Sequence, residues 1–289
     1  MNYVGIDLHR QSVVIAVEDE KGNPAGTAQF SCTESAKMAD YFKSLVPFKA
    51  VIEASCSYRW MYELLFPLGE VVLAHPLRLR AIVSGKAKTD KLDAALLAKL
   101  LRGGLIPQSY IPPRPYQELR DITRARSRLV SHRTQAKNEL HAMLSRANIH
   151  VPFKVALCKS GIRYIEQIDF GPAGNIARGE ILRRLEHYGR EIVALDMALH
   201  EMADGFPMSG VLMELPGIGL YSALLIIGEI GEPWRFHNGR KVGAYAGLTA
   251  RVNQSGGHAY YGHITRQGSV WLRWILVEAA MTLVRKDGL

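Results

Sequence analysis

Two short apolar runs, each ending in a carboxylate, set the first constraint on this chain. Tyr3-Val4-Gly5-Ile6-Asp7 and Ala50-Val51-Ile52-Glu53 read as β-strands with an acid at the C-terminal end of each. A third feature follows in Thr89-Asp90-Lys91-Leu92-Asp93-Ala94-Ala95-Leu96-Leu97, a strongly helical run that opens on a capping threonine. Asp90 and Asp93 stand three residues apart and so share a helix face. Two strand-end carboxylates and such a pair can converge on one point, where they repel unless a cation or a proton offsets their charge. Oxygen-only ligands suit Mg²⁺, with Mn²⁺ as the substitute, and these are the ions of phosphoryl transfer. Taken singly, each acid reads as a solvated charge at the end of an element. The ordered set of four points to a metal site.

Strands are expected at 3–7, 12–18, 27–31, 50–53 and 71–74, and helices at 34–45, 58–67 and 90–103. Lys21-Gly22-Asn23-Pro24 turns the second strand into the third, so the opening is an antiparallel meander followed by βα units. That pattern describes a ribonuclease-H-like α/β fold, in which the ends of the first and fourth strands lie side by side. Asp7 then stands next to Glu53.

Gly103-Gly104 and Ile111-Pro112-Pro113-Arg114-Pro115 mark the exit from this first domain, assigned to 1–105. A long helix over 116–147 carries Arg120, Arg124, Arg126, Arg128, Arg133, Lys137 and Arg146 with few compensating acids. Leu119, Ile122, Leu129, Ala136, Leu140 and Leu144 give it one apolar stripe. It reads as a coiled-coil or bundle helix, or as one that packs through the stripe and lays arginines on phosphates. Helices continue to about 205, and the middle domain is assigned to 106–205.

The last domain, 206–289, is expected to be mostly α. Leu215-Pro216-Gly217-Ile218-Gly219 feeding a helix is the pattern of a helix-hairpin-helix element, in which Gly217 and Gly219 let backbone N–H groups approach a phosphate. The alternative is a tight turn between two core helices. Gln254-Ser255-Gly256-Gly257 reads as an exposed, flexible loop. Loops on a rigid scaffold often carry reactive groups, although a serine beside glycines is by itself an ordinary turn.

The net charge of +9 and pI near 9.5 favour a polyanionic partner, nucleic acid or an acidic membrane surface. Cys32, Cys56 and Cys158 are scattered, which indicates neither a zinc site nor a disulfide framework and fits a reducing cytoplasm. No targeting signal opens the chain. The apolar stretch 270–284 is broken by Arg273 and Glu278, so a soluble protein with no membrane partner is expected.

In this order the motifs resemble the DEDD-type insertion-sequence transposases, which join a RuvC-like domain to a serine-bearing C-terminal domain. Members are described as bridge-RNA-guided recombinases, and the Piv-type DNA invertases are related. Gly5-Ile6-Asp7, Glu53, Lys88-Thr89-Asp90-Lys91-Leu92-Asp93, the arginine-rich helix, Leu215-Pro216-Gly217-Ile218-Gly219, Ala246-Gly247-Leu248 and Gln254-Ser255-Gly256 carry the resemblance. It implies that Asp7, Glu53, Asp90 and Asp93 form a metal-binding tetrad and that Ser255 is the nucleophile of a phosphoserine intermediate. It also implies donor and target DNA, a guide RNA, and a dimer or tetramer with a composite active site. Family members usually carry a further helical tail, so this chain is expected to be a short member or a fragment.

Three other readings stand beside it. A RuvC-like nuclease would hydrolyse DNA with a metal-activated water and use Ser255 only structurally. A non-catalytic nucleic-acid-binding protein would use the positive charge alone. A sugar-kinase-like ATPase also begins with strand-Gly-Ile-Asp, but usually has a glycine two residues after the Asp, where this chain has His9.

Overall fold

In the computed structural model, which describes residues 1–55, 57–82, 90–153, 157–255 and 258–287, strand β1 (Asn2–Leu8) lies within a six-stranded sheet. The chain continues through β2 (Ser12–Glu18), β3 (Pro24–Ser31), α1 (Ser35–Ser44), β4 (Phe48–Glu53), α2 (Tyr58–Leu65) and β5 (Glu70–Ala74). Helices α3 (Pro76–Ile82) and α4 (Asp90–Arg102) and the short strand β6 (Gln108–Ser109) complete a compact unit over Met1–Ile111. The strand order is β3-β2-β1-β4-β5-β6. β4 pairs in parallel with β1 and β5, and the other pairs are antiparallel. This mixed sheet with helices is compatible with a ribonuclease-H-like domain. Helix α3 and strand β6 were not expected from the sequence.

Strand alternation sorts the side chains onto two faces. Val4, Ile6, Ala50 and Ile52 pack with Met38, Phe42, Met61 and Leu65 on one side, and each large side chain fully buried there contributes about 1.5–3 kcal/mol. Val51 and Val72 face the other way, onto Leu79 of α3 and Leu97, Leu100 and Leu101 of α4. Helix α4 approaches the sheet unusually closely. A Cβ on Gly5 would overlap the carbonyl oxygen of Ala94 and lie 2.5 Å from the amide nitrogen of Ala98. Only glycine in the strand, facing alanines one helical turn apart, permits that contact.

The second unit spans Pro112–Leu289. Its helices are α5 (Arg114–Arg146), α6 (Lys159–Glu166), α7 (Gly171–Ala203), α8 (Met208–Met213), α9 (Leu220–Ile230) and α10 (Gly239–Tyr245). A hairpin of β7 (Ala250–Ser255) and β8 (His258–Ile264) precedes the last helix, α11 (Val270–Asp287). Helices α5 and α7, each about 50 Å long, pack against each other. Arg126 pairs with Asp196 and Glu139 with Arg184, so the two helices run antiparallel. The helices within 106–205 and those within 206–289 share this one unit. Among the described residues, no helix is long and apolar enough to cross a membrane.

Candidate active site

The parallel register of β1 and β4 sets Ile6 beside Ile52, which makes Asp7 and Glu53 neighbours at the strand ends. Ile6 and Ile52 face α1 and α2, so alternation turns Asp7 and Glu53 together onto the α4 face. Asp93 comes to the same place because it precedes Ala94, the residue that meets Gly5. Asp7, Glu53 and Asp93 line one cleft of about 140 Å³ together with Leu79, Arg80, Leu96, Leu97 and Leu100. Helix α4 starts at Asp90, whose side chain lies outside the described residues, as does the capping Thr89.

The carboxylate of Asp7 is 18% exposed and lies 3.0 Å from Nε2 of His9. Neither His9 nor Arg80 was singled out for this cleft by its sequence. His9 carried a signal, since it stands two residues past a strand-end acid. Among the described residues, no three His, Cys, Asp or Glu side chains are grouped to hold a metal ion. The donors that face the cleft are nevertheless carboxylate oxygens, the hard ligands that Mg²⁺ and Mn²⁺ take, so its chemistry fits a divalent ion.

The arginine-rich helix uses much of its charge within its own unit. Arg124 makes two hydrogen bonds to Glu229, Arg126 makes two to Asp196, and Arg120 donates to the carbonyl oxygens of Gly228 and Glu229. The compensating acids missing from the local sequence come from α7 and α9. Among the described residues Arg128, Arg133 and Lys137 make no ion pair. Arg128 is exposed, and Arg133 and Lys137 line a groove of about 580 Å³ shared with Arg178 and Arg183 of α7.

The turn between α8 and α9 contains Gly217 with φ +86°, and a Cβ there would fall 2.6 Å from the Thr282 side chain in α11. Gly217 thus has a packing role. Gly219 caps α9, with open space where a Cβ would point. The segment expected to be a flexible loop at Ser255 differs: Ser255 ends strand β7, and its Cα pairs with that of His258. Strands β7 and β8 pair antiparallel along their length, so the segment is a hairpin. The C-terminal region therefore contains a two-stranded sheet as well as helices. Gly256, Gly257 and the side chain of Ser255 lie outside the described residues.

A DEDD transposase family model of the IS110 type matches residues 4–149, and a model for the IS116/IS110/IS902 transposase family matches residues 209–289. The chain is 26% identical to the "Transposase for insertion sequence element IS1328" of Yersinia enterocolitica, over 98% of its length and 84% of the relative. It is 23% identical to the "Transposase for insertion sequence element IS1111A" of Coxiella burnetii, over 98% of its length and 78% of the relative. With its strand-end acids and α4 carboxylate in one cleft, the chain belongs to the IS110-type family of insertion-sequence transposases.

Proposed function

We propose that this transposase cuts and rejoins DNA through a phosphoserine intermediate on Ser255, assisted by a divalent ion in the acidic cleft and guided by a structured RNA. The observation that carries the reading is the shared cleft of Asp7, Glu53 and Asp93. With Asp90, these carboxylates would hold Mg²⁺ or Mn²⁺. When bound, the ion supplies Lewis-acid polarisation of the scissile phosphate.

The Ser255 hydroxyl loses its proton as its oxygen forms a bond to phosphorus, and the displaced strand oxygen leaves as a hydroxyl. Attack by a second strand's hydroxyl on the phosphoserine reverses the chemistry and releases the serine. The number of phosphoester bonds is conserved, so rejoining requires no nucleotide cofactor. The acids and Ser255 belong to different units, and in this reading a homo-oligomer supplies a composite site. Arg128, Arg133 and Lys137 are the α5 cations best placed for nucleic-acid phosphates, and Gly219 offers an open helix start. RNA guidance is supported by the excess positive charge and by a sequence without a recognisable zinc-finger or helix-turn-helix reader.

The test is a stalled reaction on element-end DNA with copurified RNA present. A covalent protein–DNA adduct that survives denaturant should map to Ser255 and disappear in Ser255→Ala. Cleavage that persists without an adduct in Ser255→Ala assigns the chain to water-dependent nucleases instead.

A further inference from the structure

A groove of about 610 Å³ separates α5 from the start of α11 in the second unit. Arg128, Ser131, His132 and Gln135 line it from α5, at spacings that share one helix face. Trp271 and Trp274 line it from α11. Trp271 packs with the apolar cluster around Leu225, Leu272 and Ile275, whereas Trp274 is 41% exposed. An exposed indole is a large flat apolar surface left in water. Its surroundings are cationic, since none of the described residues lining the groove is acidic. Asp196 balances Arg126, but among the described residues nothing balances Arg128. The chain has no Asp or Glu from Pro233 to Val277, so the start of α11 lies in an acid-free stretch.

We propose that this groove takes an unpaired base of single-stranded DNA, stacked on Trp274, with the adjoining phosphate on Arg128. The proposal rests on the chain acting on DNA, because exchanging a strand between duplexes leaves bases unpaired beside the cut. Aromatic side chains accept every base through its π face, which suits an enzyme that must hold strands of varied sequence. Ser131 and Gln135 add hydroxyl and amide groups that can bond base edges. The competing occupant is a helix of a second copy, since Trp274 belongs to an exposed apolar stripe that runs from Val270 through Val277, Met281 and Val284. A helix seam has no use for Arg128 and His132 beside the indole. A nucleotide does.

The full chain is titrated into fluorescein-labelled oligothymidylate, and binding is read by anisotropy at several salt concentrations. Trp274→Ala should weaken binding about tenfold, while Trp274→Phe, which keeps a stacking ring and controls for folding, stays within about threefold of the parent. Arg128→Ala should reduce the log–log salt slope by about 0.7. Unchanged affinity in Trp274→Ala overturns the proposal. So does preferential oligouridylate binding that the same variant abolishes, which would assign the groove to RNA. Sedimentation showing that Trp274→Ala dissociates an oligomer, with oligothymidylate binding intact, would assign it to a second copy. A parent that binds neither oligothymidylate nor duplex DNA counts against the proposed DNA strand exchange itself. Normal parental binding with unaffected variants rejects the groove alone.

Discussion

Arg124 holds the carboxylate of Glu229 with two hydrogen bonds, of 2.6 and 2.9 Å, across 105 residues of sequence. The Glu229 side chain is only 2% exposed, and Ser269 donates a third bond to it at 2.7 Å. Burial, the largest single influence, lowers the Arg124 pKa, but the hydrogen bonding and charge attraction of Glu229, with the nearby charge of Asp121, together outweigh it and the net shift is upward. One pair thus fastens α5 to α9, and through Ser269 to the start of α11.

Glu229→Ala should lower stability by about 3 kcal/mol, because it leaves a partly buried guanidinium without its counter-charge. Urea unfolding measures the loss. Arg124→Ala combined with it should cost less than the sum of the two single changes, whereas strict additivity would mean that the pair is not coupled.

The same geometry decides which arginine can report on nucleic-acid binding. Arg124→Glu would place two carboxylates together at Glu229 and damage the fold. Arg128→Glu changes an exposed residue, so thermal stability should stay near that of the parent while the log–log salt slope for duplex DNA falls by about one. An unchanged slope would leave Arg128 outside the DNA interface.

Gly5→Ala should destabilise the first unit by about 2–3 kcal/mol, since the added methyl meets the α4 backbone rather than a movable side chain. The displaced helix carries Asp93 with it. Terbium luminescence should therefore weaken in Gly5→Ala below the denaturation range, and full retention of ion binding would separate the cleft from this contact.

Asp93→Asn retains the side chain's shape and removes its charge. Ion binding should weaken, and DNA cleavage should fall about a hundredfold, the scale of roughly 3 kcal/mol of transition-state stabilisation. Chelation with EDTA should abolish cleavage in the parent. Cleavage that proceeds undiminished in EDTA would remove the ion from the reaction.

The Asp169 carboxyl titrates below its ordinary value, first through the Asn175 side chain and then through the Gly171 amide at the start of α7. A carboxylate whose pKa is lower in the folded chain stabilises the fold above its unfolded-chain value and loses that effect as pH falls through the folded value. Asp169→Ala should therefore lower the melting temperature at pH 7, and the difference from the parent should shrink as the pH falls below about 4. A difference that stays constant across that range would refute the linkage.

The sheet ends were legible because an apolar run that stops at an acid reports both a strand and its exit. Asp7 and Glu53 thus emerged as neighbours from strand order alone. Helix α3 escaped because Pro76-Leu77-Arg78-Leu79-Arg80 is short and alternates, which masks a helix that buries Leu79 and presents Arg80 to the cleft. The β7–β8 hairpin escaped because Gln254-Ser255-Gly256-Gly257 reads as a flexible loop, which hides a strand that runs as far as Ser255. The arginine pairs escaped because their acids are 70 and 105 residues away. Glu229 did carry a signal, since a lone carboxylate in the apolar helix Leu220–Ile230 needs a buried partner.

The contact of Gly5 with Ala94 also has a temporal meaning. Its partners are far apart along the chain, and forming it requires closing a long loop. At about 5–20 residues per second, synthesis takes roughly 5–20 s to pass α4, and until then Asp7 and Glu53 have emerged without Asp93. A nascent or prematurely terminated chain therefore carries two of the acids but no cleft. On the function proposed above, a half-made copy lacks the site with which to cut DNA.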